Sequence, residues 1–258
     1  MALRRLARGR AALRGAVGFL TRVPLGHDQE DWTAFRSTLP ALPAVGYPIG
    51  ALLAVPIAAG MVGGLPPATA AVAFVAWCYL LTGITHLDGL ADLGDAAAVH
   101  GEPEDRLAVL KDTAVGVGAV LAVGVVLLGL ALAAQTIATR PLLALGLVIA
   151  AEVGAKLGIA VVAALGRPAT DGLGAQLADP ARPASLTLPA LVAAPAALLT
   201  WPSPAAAVAL VAPVAVAVSL WWWARATLGG VNGDVMGAAN ELGRAVALHA
   251  GVVAWTLS

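Results

Sequence analysis

The sequence predicts an all-α polytopic membrane protein with six or seven transmembrane helices and an N-terminal interfacial helix. Hydrophobic residues make up 60% of the 258 residues, charged residues only 12%, and the mean hydropathy is +0.87. Several apolar runs approach the roughly 20 residues that cross a hydrocarbon core. They lie at 45–62, 68–84, 114–134, 141–165, 186–199, 205–224 and 245–257. Two of the seven are short, which leaves six or seven spans.

Positive charge orients the chain. Seven of the 15 Lys and Arg residues precede the first predicted span, so the positive-inside rule places the N-terminus in the cytoplasm. Residues 3–20 read as a basic amphipathic helix on the anionic inner leaflet, with a frayed basic tail as the alternative. We treat 1–40 as the N-terminal segment of one membrane domain, 1–258. The formal net charge is zero, so no nucleic-acid partner is expected.

The connections between spans divide into two kinds. The predicted outer connections 63–67, 136–140 and 201–204 are short and carry one charge, Arg140. The predicted inner connections 86–113, 166–185 and 225–244 hold nearly all the other ionisable groups outside the N-terminal segment. The polar chemistry is therefore expected on the cytoplasmic face.

The segment 86–96 is the strongest functional signal. Asp88, Asp92 and Asp95 are spaced i, i+4 and i+7, which places them within about 60° on one helix face. Carboxylates this close repel unless a cation lies between them, and hard oxygen ligands suit Mg²⁺ or Mn²⁺. The alternative is an acidic, exposed helix end. His86 is a candidate ligand or proton shuttle, or a hydrogen-bonding anchor at the membrane interface.

Three further groups are candidates for binding phosphate. Lys111 and Asp112 precede a predicted span, where Lys111 supplies a point charge; the alternative is a helix cap made by Asp112 or Thr113. Arg167 is a candidate diphosphate clamp or a topological residue at an inner helix end.

The third group is glycine-rich. Gly229, Gly230 and Gly233 can expose backbone N–H groups to phosphate, and Asp234 can add a carboxylate to the metal site. A flexible turn with a helix cap is the alternative.

One ion pair is predicted inside a span. Glu152 and Lys156 are spaced i, i+4 in the fourth span, where charge is costly. The pair is either structural or functional, and the spacing alone does not decide between the two.

Taken together, these segments resemble the cobalamin synthase family, also called adenosylcobinamide-GDP ribazoletransferase. The most specific match is His86-Leu87-Asp88-Gly89-Leu90-Ala91-Asp92 with Asp95. The matching segments are 21–24, 42–50, 86–95, 111–116, 172–174 and 229–241.

The resemblance implies an activity that residue chemistry does not name. Such enzymes join adenosylcobinamide-GDP to α-ribazole or its 5′-phosphate and release GMP. They depend on Mg²⁺ and lie in the bacterial cytoplasmic (inner) membrane, with the lipid bilayer as a partner. The oligomeric state, including a homo-oligomer, is left open. The resemblance therefore implies that the carboxylates of segment 86–96 hold a Mg²⁺ ion, and that this ion binds the diphosphate of adenosylcobinamide-GDP.

Two other functions fit parts of the pattern. A CDP-alcohol phosphotransferase-like enzyme also carries an acidic membrane helix, but Asp92 follows Asp88 here without that family's Ala-Arg and long Asp spacing. An ion-coupled transporter would place carboxylates near the bilayer midplane. Acids at span ends on one face favour an enzyme.

Overall fold

The computed structural model describes residues 2–26, 28–178 and 183–258. Over these residues the regular secondary structure is helical apart from one parallel bridge between Pro168 and Val231. The α-helices are α1 (Ala2–Leu20), α2 (Gln29–Arg36), α3 (Ala41–Gly63), α4 (Pro67–Thr82), α5 (Thr85–Ala98), α6 (Pro103–Val109), α7 (Val117–Ile137), α8 (Gly146–Leu165), α9 (Leu173–Leu177), α10 (Thr187–Ala193), α11 (Ala205–Thr227) and α12 (Gly233–Leu257). Short 3-10 helices cover Leu142–Leu145, Pro183–Leu186 and Ala194–Leu198. The predicted all-α class is confirmed. Residues 179–182 of the predicted connection 166–185 lie outside the described residues.

Within the described ranges, four segments are long and apolar enough to cross a membrane. They are α3, α7, α11 and Leu142–Leu165, which comprises α8 and the 3-10 turn before it. Helices α4 and α5 add a fifth span only when counted as one, with a bend of 101° between them. The predicted count of six or seven spans is not confirmed.

The two short runs explain much of the difference. The run 186–199 forms only α10 and the 3-10 helix after it, a short apolar stretch over Thr187–Leu198 that is about 20 Å long. The run 245–257 is the second half of α12, whose first half carries Asp234, Glu241 and Arg244. Counting apolar runs in the sequence therefore overestimated the number of separate spans.

Helix α8 forms the centre of the bundle. Seventeen of its 20 residues are buried, and α3, α11 and α12 pack around it. A Cβ atom on Gly46 of α3 would lie 2.7 Å from Cα of Val153. A Cβ atom on Gly154 would lie 3.1 Å from Cα of Leu210 in α11. Small residues at these helix interfaces thus let the backbones approach closely.

Helix α12 runs from one end of the bundle to the other. Near its start, Gly237 packs against the backbone of His86, where a Cβ would lie 2.9 Å from the carbonyl oxygen. Near its end, Arg140 Nη2 donates a hydrogen bond of 3.1 Å to Thr256 Oγ1. The polar segment 86–96 and the connection 136–140 therefore lie at opposite ends of α12. Which end faces the cytoplasm stays a prediction.

The N-terminal segment folds as a helix, as one of the two alternatives predicted. Helix α1 buries Ala12, Ala16 and Leu20, and it packs on α2 and α3. Arg14 forms an ion pair of 3.3 Å with Asp31 of α2. The position of α1 on a membrane surface stays a prediction.

A network of charged side chains crosses the interior between α8 and α12. Lys156 Nζ forms an ion pair with Glu152 and donates a hydrogen bond of 2.7 Å to Asn240 Oδ1. Arg244 Nε donates to Glu152 Oε2 at 2.7 Å, and its Nη1 to Glu241 Oε2 at 2.8 Å. All five residues are at most 1% exposed. Two acids and two bases cancel, and no buried side-chain nitrogen or oxygen among the described residues lacks a partner.

This network confirms the predicted Glu152–Lys156 pair and corrects the predicted connection 225–244. Residues 233–244 are helical, because α12 begins at Gly233 after an N-cap at Asn232. Arg244 is consequently a buried partner of two glutamates and not a residue of a polar connection.

We predict that Arg244→Met strongly destabilises the fold. Removing one member of a buried ion network leaves charge uncompensated, which costs about 3–5 kcal/mol. Thermal unfolding of the detergent-solubilised protein, followed by circular dichroism, should show a large fall in Tm. The matched control is Arg140→Met, which removes one hydrogen bond to Thr256. Equal Tm values for the two variants would contradict the prediction.

Candidate functional site

The predicted acidic helix is present as α5. Asp88 is exposed, whereas Asp92 and Asp95 are half-buried. The side of α5 that faces the bundle is formed by Gly89, Leu90, Leu93 and Ala96. The prediction that the three carboxylates share one helix is therefore confirmed.

A glycine turns the chain into this helix. Gly83 ends α4 with φ of +75°, a backbone conformation that glycine adopts far more readily than other residues. The chain bends by 101° at this point, so α5 leaves the direction of α4 and is none of the four spans.

The start of α12 lies directly against α5. A Cβ atom on Gly89 would lie 2.8 Å from Cα of Asp234, so only glycine permits this approach without a shift. Asn232 caps α12, its Oδ1 accepting from Val235 N at 3.0 Å. Its Nδ2 donates to Asp234 Oδ2 at 2.7 Å. The structure thus brings Asp234 next to the acidic helix.

The carboxylates are close enough to repel one another. Burial raises the pKa of Asp92 to about 6, with further contributions from the charges of Asp234, Asp88 and Asp95. Burial and the charge of Asp88 also raise the pKa of Asp234, although the Asn232 hydrogen bond opposes this. Negative charge at this place is therefore unfavourable without a cation.

Asp95 has a second role that the sequence did not reveal. Its Oδ2 accepts from Gly116 N at 2.7 Å and its Oδ1 from Ala119 N at 2.9 Å. Gly116 is the N-cap residue of α7 and Ala119 lies in its first turn, so Asp95 caps that helix from a different part of the chain. Its assignment as a metal ligand stays a prediction.

The alternative in which Asp112 or Thr113 caps the next span is wrong. Helix α7 begins at Val117, beyond the reach of a local cap by either residue. Asp112 Oδ1 instead accepts from Ala114 N at 3.1 Å within the preceding loop. Lys111 and Asp112 are exposed, and their role in binding substrate stays a prediction.

The glycine-rich connection 229–233 pairs with the connection that follows α8. Val231 N donates to Arg167 O at 2.8 Å, and Ala169 N donates to Val231 O at 2.8 Å. Gly174 packs on the backbone of Gly233, since a Cβ at Gly174 would lie 2.7 Å from Cα of Gly233. Segments of all three predicted inner connections therefore meet at one end of the bundle.

Two cavities open on either side of this glycine connection. His86 and Asp234 line the smaller one, of about 130 Å³, together with Gly174 and Gly233. The larger one has a volume of about 460 Å³. Its lining residues are Leu165, Arg167, Trp221, Arg225, Gly229, Gly230 and Val231.

The structure divides six of the predicted site residues between these two cavities, whereas Asp88, Asp92, Asp95, Lys111 and Asp112 line neither of them. Gly233, Asp234 and His86 border one cavity, whereas Arg167, Gly229 and Gly230 border the other. Sequence reasoning missed Trp221 and Arg225 of the larger cavity. The available signal was a basic residue in the last turn of α11 at the predicted inner end.

The acidic cluster is not a preformed metal cage. Among the described residues, no three His, Cys, Asp or Glu side chains converge closely enough to hold a metal ion by themselves. The described side chains therefore do not form a metal site of three or more protein ligands. Instead, carboxylates of α5 and α12 lie at the same end of the bundle.

Comparison with known proteins assigns a family. The model of the cobalamin-5-phosphate synthase family matches residues 12–252. No solved structure matches the chain.

Curated relatives agree over nearly the full length. A protein of Halorubrum lacusprofundi is 48% identical over 95% of this chain and 98% of its own. One of Haloquadratum walsbyi is 46% identical over 96% of this chain and 99% of its own, and one of Halobacterium salinarum is 52% identical over 76% and 100%. Each is named adenosylcobinamide-GDP ribazoletransferase.

These relatives are archaeal, so they give no support to the bacterial membrane that the resemblance implied. They and the family match favour the transferase over the CDP-alcohol phosphotransferase and transporter alternatives. The chain belongs to the cobalamin-5-phosphate synthase family and is a transferase.

Proposed function

We propose that this chain transfers the adenosylcobinamide-phosphate group of adenosylcobinamide-GDP to α-ribazole or α-ribazole 5′-phosphate. The observation that carries the proposal is the packing of Asp234, at the start of α12, against Gly89 of α5, the helix that bears Asp88 and Asp92, in a chain that matches the family over residues 12–252. A bond forms between the ribazole hydroxyl oxygen and the phosphorus atom attached to cobinamide. The bond between that phosphorus and the oxygen of the leaving GMP breaks, and the hydroxyl proton passes to a base. The products are adenosylcobalamin, or its phosphate, and GMP.

The donor set fits Mg²⁺ as the cofactor. Mg²⁺ usually keeps several waters and binds through one or two carboxylates together with substrate phosphates, so a cage of three protein ligands is not required. One or two of Asp88, Asp92 and Asp234 would hold it together with the substrate phosphates, because a divalent cation relieves the repulsion among these carboxylates. When bound, the ion supplies charge neutralisation and orientation for the diphosphate.

The residues of the chain contribute position and proton transfer. Asp95 anchors α5 to the start of α7 and adds negative charge beside Asp92. His86 lines the same cavity as Asp234 and is, with the carboxylates, the candidate acceptor for the ribazole proton.

The cavity beside Asp234 limits what can enter. Its volume of about 130 Å³ is well below the roughly 300–1,000 Å³ of pockets that enclose whole small-molecule ligands. It suits a phosphate group, and the corrinoid and the nucleoside remain outside it. Lys111 and the backbone of the glycine connection would then contact substrate groups nearby.

We further propose that this end of the molecule faces the cytoplasm from the cytoplasmic membrane. The basic segment before α3 supports this orientation by the positive-inside rule. The bilayer is then the lipid partner of the apolar surfaces of α3, α7 and α11.

Asp88→Asn should abolish turnover while the protein still folds and inserts. The substitution removes a full charge from the metal site but keeps the shape of an exposed side chain. GMP release from adenosylcobinamide-GDP and α-ribazole is the measurement. Glu104→Gln, an exposed carboxylate on α6, is the matched control and should retain activity. Full activity of Asp88→Asn would rule out the assignment.

Removal of divalent cations should stop the reaction reversibly. We expect GMP release to fall to background in EDTA and to return when excess Mg²⁺ is added, because the carboxylates cannot gather around a diphosphate without it. Turnover that persists in EDTA would show that the acidic cluster acts without metal.

Asp95→Asn separates capping from metal binding. The amide keeps one acceptor for the first turn of α7 and loses the other, which should lower stability by about 1 kcal/mol. We expect turnover well above that of Asp88→Asn, since both Asp95 oxygens already accept backbone hydrogen bonds. Inactivation as complete as that of Asp88→Asn, with unchanged Tm, would instead make Asp95 a metal ligand.

A further inference from the structure

We propose that the cavity of about 460 Å³ between Arg167 and Arg225 is a second phosphate-binding subsite, separate from the acidic cluster, and that it holds a nucleotide phosphate with its base on Trp221. The inference deepens the proposed function, on which the identity of the nucleotide rests. It also reassigns Arg167, which the sequence predicted as a clamp for the reacting diphosphate, to this second subsite.

The first argument is unbalanced positive charge. Arg167 and Arg225 both line this cavity. The ion pairs found among the described residues involve Arg14, Lys156 and Arg244, and none of these pairs includes Arg167 or Arg225. Guanidinium groups bind phosphate through paired N–H donors. A phosphate would supply the counter-charge that the described protein residues do not.

The second argument is that the cavity wall is built and held in place. Gly230 packs against the backbone of Arg167 and Ala169, where a Cβ would lie 2.9 Å from Ala169 N. Val231 N donates to Arg167 O at 2.8 Å, which fixes the backbone from which the Arg167 side chain extends. Arg167 is thus positioned by the glycine connection, while its exposed side chain remains free to meet a ligand.

The third argument is the aromatic wall. Trp221 Nε1 donates to Leu165 O at 3.0 Å, which fixes the indole ring. The guanidinium carbon of Arg225 lies over the ring, 5.9 Å from its centroid, in a cation–π contact. Arg225 is exposed, so its side chain can swing toward a phosphate and leave the ring face to the attached base, because bases stack on aromatic side chains.

Two substrates of the proposed reaction carry such a group. Adenosylcobinamide-GDP contains a guanine nucleotide, and α-ribazole 5′-phosphate carries a phosphate and a benzimidazole base. The anionic headgroup of a phospholipid offers the phosphate without the base. Both adenosylcobinamide-GDP and α-ribazole 5′-phosphate therefore offer the phosphate and the base that the cavity would bind. The experiments below distinguish these two substrates from each other and from a phospholipid headgroup.

The kinetic test compares Arg225→Gln and Arg167→Gln with Arg140→Gln, an arginine at the opposite end of the bundle. Loss of a charge-assisted hydrogen bond should raise the KM of the substrate bound here at least about tenfold, with kcat within about twofold. Arg225→Lys should recover part of the loss, and Arg140→Gln should behave as wild type.

The identity of the ligand follows from which KM changes. A higher KM for α-ribazole 5′-phosphate, with that for α-ribazole unchanged, assigns the subsite to the acceptor phosphate. A higher KM for adenosylcobinamide-GDP with either acceptor assigns it to the guanine nucleotide. Unchanged KM values for all three substrates in both variants overturn the proposal.

A binding test keeps the inference independent of turnover. GMP and α-ribazole 5′-phosphate are titrated, in EDTA, into protein in nanodiscs of zwitterionic lipid and of lipid containing phosphatidylglycerol. We expect saturable binding of at least one ligand in zwitterionic lipid and at least about tenfold weaker binding by Arg225→Gln.

Nucleotide binding equal in wild type and variant, or a difference seen only with phosphatidylglycerol, overturns the subsite. If the wild type releases no GMP in the activity assay but the variant still loses nucleotide binding, the proposed function fails and the subsite stands.

Discussion

The balance of four buried charges between α8 and α12 constrains the rest of this molecule. Glu152 and Lys156 on one helix meet Glu241 and Arg244 on the other, with Asn240 closing the set. A slide of one helical turn, about 5.4 Å, would leave charges unpaired in an apolar interior. The network therefore fixes the register of α12. It also extends to α4, because Tyr79 donates to Glu241 at 3.0 Å.

The register of α12 in turn positions the candidate site. Asp234 lies seven residues before Glu241, two turns along the same helix, and reaches α5 at Gly89. The two charged regions differ in character. The interior network is neutral and satisfied among its own members, which is what a structural role requires. The cluster around Asp92 carries only negative charge and lies at the end of the bundle, where a cation and substrate can approach.

Backbone contacts explain why the site segments contain so many glycines. Gly89 and Gly237 let α5 and α12 touch at backbone distance, and Gly174 and Gly230 bring the connections after α8 and α11 together. The sequence suggested that the glycine amides bind phosphate directly. The structure shows that several of these glycines permit close packing, which places Asp234 and Arg167 on either side of one connection. The predicted phosphate contact at Gly229 and Gly233 is compatible with this arrangement, since a Cβ there would meet nothing within 4 Å.

The sequence by itself determined the all-α membrane class, the helical face of Asp88, Asp92 and Asp95, the Glu152–Lys156 pair and the resemblance to a family that the comparisons then established. These features depend on composition, on spacing within one helix or on motif identity, so they are local. Only the tertiary structure decided the number of candidate spans, the capping of α7 by Asp95, the burial of Arg244 and the pairing of Arg167 with Arg225 around one cavity. Each of these depends on contacts between residues at least 20 positions apart or on whether an apolar run folds as one straight helix. Spacing within a single helix does not encode such contacts, because they arise from how closely the small residues let separate helices approach.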